Sequence, residues 1–101
     1  MARIEPEHFW LAGIEIRPNI FTEVGDRIDY HAHAFPHLTQ VWAGRFRELK
    51  TGKEYASVAL NRGGELERRL VIEAGTEHAF EVLELENGVA VLECLWPAGV
   101  K

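Results

Sequence analysis

The sequence predicts an all-β domain, a sandwich or small closed barrel, on three observations. No segment sustains a helical apolar period with a cap at each end. Short runs rich in β-branched and aromatic residues recur from Ile14 to Trp96. Glycine-containing turns separate these runs at the close spacing that sandwiches and barrels require.

Taken in order, Ile14–Arg17 and Ile20–Val24 read as strands parted by Pro18-Asn19 and closed by Gly25-Asp26. Thr39 to Leu49 reads as one long strand containing Gly44. Lys50-Thr51-Gly52-Lys53 has turn chemistry, so Glu54 to Leu60 is expected to pair back as a hairpin. Asn61-Arg62-Gly63-Gly64 forms another turn, and the short stretch Glu65 to Ile72, followed by Gly75, is expected to be a strand. Glu77 to Leu85 and Val89 to Trp96 are expected to form a last hairpin across Glu86-Asn87-Gly88.

The 101 residues give room for a single domain, 1–101, with a modest core. A net charge of -5, with Arg45, Arg47, Arg68 and Arg69 interleaved among acids, argues against nucleic acid as a partner. No apolar run approaches the ~20 residues that span a bilayer, so no membrane partner is expected. Residues Met1 to Pro6 carry an acid and a proline where a signal peptide would be apolar. Cys94 is the sole cysteine, so there is no disulfide framework within the chain and a cytoplasmic location is expected.

The histidines carry the chemistry. Side chains two apart on a strand share a face, so His31 and His33 can reach one point of an interior. His37 has the same parity, although Pro36 bends the chain before it, and His78 follows the turn Gly75-Thr76-Glu77. Burying such a cluster unpaired would cost several kcal/mol in desolvation, which points to a metal ion. His8 stands apart and reads as a surface residue. Trp10, Trp42 and Trp96 read as core or interface residues, and Glu65, Glu67, Glu81, Glu84 and Glu86 as solvated ones.

Spacing makes a resemblance specific. Gly25, five residues, His31-x-His33, three residues, His37, six residues and Gly44 resemble the first cupin motif, with His37 where that family usually has glutamate. Gly75 and His78 are similar to the centre of the second cupin motif, whereas Glu73 replaces its proline, Val82 its asparagine, and no glycine sits at the expected upstream spacing. His33 to Thr39 also resembles small phage-encoded and bacterial single-domain cupins. The resemblance implies a cupin-type β-barrel of jelly-roll form, binding one divalent metal ion through His31, His33, His37 and His78. It further implies an ion with open positions, available to a bidentate substrate or to substrate and dioxygen.

Imidazole suits iron, nickel, copper and zinc, and manganese less well, so the identity of the transition metal stays open. Four neutral ligands leave the ion's charge uncompensated, and a small anionic oxygen chelator is the expected partner. Alternation suggests a greasy pocket lined by Phe35, Phe46, Phe80, Val82, Leu92, Cys94 and Trp96. No side chain stands out as a general base, with Tyr30 and Glu81 the candidates. Three readings stay open: an oxygen-dependent, dioxygenase-like metal enzyme, a non-catalytic module that binds metal and a small anion, and a structural or interaction protein whose histidines are incidental. A homodimer is expected, with the apolar His8-Phe9-Trp10-Leu11 segment lying on the partner subunit.

Overall fold

The computed structural model describes residues 3–4, 9–11 and 13–97, and these build two antiparallel sheets. Strand β3 (Ile14–Phe21) is flanked on one side by two short strands, β1 (Arg3–Ile4) and β2 (Phe9–Leu11). On its other side it pairs with β10 (Ala90–Pro97), then β5 (His37–Ala43) and β8 (Arg69–Ile72). The second sheet runs β4 (Arg27–His31), β9 (His78–Glu84), β6 (Arg45–Glu48), β7 (Glu54–Ala56). Among the described residues the only helical element is a 3-10 turn at Arg62–Gly64. The all-β jelly-roll expectation is met, but the sheets do not close into a continuous barrel.

The core lies between the sheets. Phe21, Val41, Ala90 and Leu92 come from one layer and Phe46, Tyr55, Phe80 and Val82 from the other. Phe21 and Phe46 meet edge to face with centroids 5.7 Å apart, and neither is exposed to solvent.

Several expected elements differ in detail. Pro18 does not break the first strand: β3 continues through it, with Pro18 opposite Glu93. A missing N–H is tolerated there because Pro18 falls between the β2 pairing, which ends at Ile16, and the β1 pairing, which begins at Ile20. The strand then ends at Phe21 and not at Val24. The long strand expected from Thr39 to Leu49 is two strands in different sheets, divided at Gly44. Gly44 has φ +85°, and a Cβ there would meet the Glu84 carbonyl oxygen at 2.7 Å and the Ala90 Cβ at 2.8 Å. Only glycine turns this corner.

The hairpin across Lys50–Lys53 forms, although β7 stops at Ala56 and Ser57 begins a turn that its hydroxyl caps at Leu60 N–H. The strand expected from Glu65 is shorter, since residues 65–68 only lead into β8 and are tied to β7 by a parallel bridge from Glu67 to Tyr55. The expected last hairpin does not form. Glu86 and Val89 exchange backbone bonds across Asn87-Gly88, but β9 and β10 then diverge into opposite sheets. Glu86, expected to be solvated, accepts the Gly44 N–H and the Ser57 hydroxyl and so braces the corner. The Phe9–Leu11 segment, expected on a partner subunit, pairs with β3 of its own chain, while His8 lies outside the described residues.

Candidate metal centre

The histidines gather at one open end between the sheets. β4 ends at His31, which is the register partner of His78 at the start of β9, past a bulge after Ile28. The two rings lie 4.2 Å apart, centroid to centroid. His33 follows on the segment that crosses to the other sheet, its ring 5.0 Å from His31 and 5.7 Å from His78. Gly75 N–H donates to the His33 carbonyl at 2.7 Å, tying that segment to the turn before His78. His37 opens β5, its ring 5.0 Å from His33 and 5.2 Å from His78.

Donor atoms of His31, His33 and His78 all lie within 4.8 Å of one another. Nδ1 of His31 is 2.8 Å from the Asp29 carbonyl, and Nδ1 of His78 is 3.0 Å from the Thr76 carbonyl. A carbonyl only accepts, so each Nδ1 carries the proton and each Nε2 keeps its lone pair for a ligand role. His37 is 4% exposed, and both its ring nitrogens are buried without a hydrogen-bond partner. Such a group costs about 1–3 kcal/mol unless something binds it.

The electrostatics favour the neutral form of His33, His37 and His78. Burial, then the neighbouring His78, His33 and His31, lower the pKa of His37 to about 4. Burial is also the main cause that lowers His33, helped by His31, His78 and Arg17. Burial lowers His78, partly opposed by its bond to the Thr76 carbonyl. Neutral imidazoles with free lone pairs are the form that metal ligation needs. The converging nitrogens and the orphaned ones of His37 therefore fit a divalent transition ion.

A cavity of about 430 Å³ opens over His31, His33 and His78. Phe80, Leu92, Cys94 and Trp96 line it. Phe35 does not: it is packed behind the site, stacked on His33 at 5.4 Å and edge-on to Trp96 at 5.0 Å. Phe46 and Val82 belong to the core, because β9 continues past the cavity into the closed end filled by Phe21 and Phe46. Tyr30 reaches the rim, half exposed, whereas Glu81 does not line the cavity.

The cavity is also more polar than expected. Arg17, Asn19 and Thr39 line its wall, and Arg27 and Asp29 line it as well. Alternation in Ile14–Ile20 hid the first two, since polar residues on one parity ordinarily mark the solvent face. Here β3 turns Arg17 and Asn19 inward as register partners of Cys94 and Leu92. The signal that could have found them is Phe21, a large apolar residue of the same parity that is fully buried in the core.

No protein-family profile and no curated protein matches the chain by sequence. Solved structures do match it. A cupin-2 domain protein from Shewanella frigidimarina superposes with a TM-score of 0.62 at 14% identity, over 88% of this chain and 74% of that one. KdgF from Halomonas sp. gives 0.65 at 16% identity, over 94% and 76%. Oxalate oxidase, solved with the substrate analogue glycolate, gives 0.56 at 15% identity, over 82% of this chain and 41% of its own. At these identities the likeness is one of fold: the chain has a cupin fold.

Proposed function

We propose that this cupin-fold chain is a metal-dependent small-molecule protein. His31, His33, His37 and His78 hold one divalent transition ion, and the cavity above them takes a small anionic ligand that chelates through oxygen. The observation that carries the reading is the convergence of three histidine donors within 4.8 Å, beside a fourth histidine whose buried nitrogens have no other partner. A bound ion supplies Lewis acidity and, if redox-active, electron transfer.

The chain's own residues account for the ligand's charge. Imidazoles bring no negative charge to the ion, so an anion completes the neutralisation. Phe80, Leu92 and Trp96 give the cavity an apolar wall, which lowers the local dielectric and strengthens that attraction. Glycolate, the analogue bound to oxalate oxidase, is a small oxygen chelator of the kind proposed here.

The experiment is to load the protein with Co(II) and follow its visible spectrum during titration with glycolate. Fe(II)-loaded protein is then assayed for oxygen uptake with a panel of hydroxy and oxo acids. Spectral change with uptake supports an oxygen-dependent enzyme. Spectral change without uptake, whatever the metal, leaves a binding module. An unperturbed spectrum contradicts an open, ligand-accepting centre.

A further inference from the structure

The inward face of β3 carries Glu15, Arg17 and Asn19 against Trp96, Cys94 and Leu92 of β10. Arg17 is the best placed of these to meet a ligand. Its guanidinium carbon sits 4.0 Å from the centroid of the Trp96 ring, and its Nε donates to the buried carboxylate of Glu15. Its two terminal nitrogens make no hydrogen bond among the described residues, and the side chain is 30% exposed. The Trp96 ring also meets His33, with centroids 4.9 Å apart. One indole therefore touches both the guanidinium and the histidine cluster on the wall of a single cavity.

We propose that Arg17 anchors a carboxylate of the ligand while a second oxygen donor of that ligand reaches the histidine centre. This rests on the metal reading above and narrows it to a class: small carboxylic acids with a neighbouring oxygen donor, such as hydroxy acids, oxo acids and short diacids. A guanidinium fork matches a carboxylate by two parallel hydrogen bonds, and stacking on an aromatic face has already fixed its orientation. Glu15 occupies only Nε, which leaves the fork for the ligand. Arg27 also lines the cavity, but its side chain is 48% exposed and faces the exposed Asp29 at 3.4 Å. A solvated pair of that kind steers anions and adds little affinity.

The test is calorimetric titration of the Zn(II)-loaded protein with malonate, lactate and acetylacetone, a chelator without a carboxylate. Arg17→Gln should weaken malonate and lactate by about ten- to a hundredfold, with acetylacetone affinity and metal content unchanged. Arg17→Lys should recover only part of the loss, since an ammonium lacks the fork. Glu15→Gln/Arg17→Gln repeats the test with both members of the ion pair neutralised, in case the single variant folds poorly. Arg27→Gln should alter the carboxylate affinities by no more than about threefold. Metal uptake with equal carboxylate affinity in wild type and both Arg17→Gln proteins overturns the Arg17 proposal and leaves the metal reading standing. Parallel loss of acetylacetone binding overturns it too. Failure of the wild type to take up metal overturns both.

Discussion

His31 and His78 are register partners across β4 and β9, and each ring holds its Nδ1 on the carbonyl two residues before it, Asp29 and Thr76. The same local device thus orients two imidazoles that approach from adjacent strands. It fixes their tautomer and directs their remaining lone pairs without any side-chain partner.

His37 is the member whose role a substitution separates most cleanly. His37→Leu removes two buried nitrogens that have no partner, so the metal-free protein should gain about 1–3 kcal/mol, read as a higher melting temperature. The same variant should bind metal more weakly. His37→Glu should keep the metal and weaken anion binding, because it restores a negative ligand. Unchanged metal affinity in His37→Leu would place His37 outside the coordination sphere.

The metal-free protein should lose stability on acidification. The pKa of His37 is lowered from 6.5 to about 4 by folding. Between those values the unfolded chain takes up a proton there and the folded chain does not, so stability present above pH 6.5 is lost as pH falls to about 4. The contribution is about 3 kcal/mol, and His33 and His78 shift in the same direction. Urea unfolding in a chelator across this range checks it. His37→Leu should flatten the profile, and a flat wild-type profile would contradict the burial argument.

Gly44→Ala should destabilise the fold by about 2–4 kcal/mol, the sum of a left-handed backbone penalty and a forced overlap. The overlap is with the Glu84 carbonyl and the Ala90 Cβ, neither of which is a flexible chain end. Denaturant titration measures it. A loss under about 0.5 kcal/mol, the range of ordinary surface substitutions, would mean the corner can relax.

The strand-turn rhythm was legible because it follows from local periodicity, whereas His33 meets His31 from the segment after β4 has ended and not from the same strand face. Long-range choices were not. Asn87-Gly88 signals a tight turn, yet whether the flanking strands pair or part depends on what each sheet buries on either side. Pro18 read as a break because its tolerance depends on where β1 and β2 end. Arg17 escaped notice for a similar reason. Its burial follows from the cavity across from β3, which no local pattern reveals.

The most direct measurement of the central claim is metal content by plasma mass spectrometry after loading and desalting. Wild type and His8→Ala should carry one ion per chain, and the ion should stabilise the fold against heat. His31→Ala and His78→Ala should lose it together with that stabilisation. Equal metal content in all four proteins, or none in the wild type, would contradict the account.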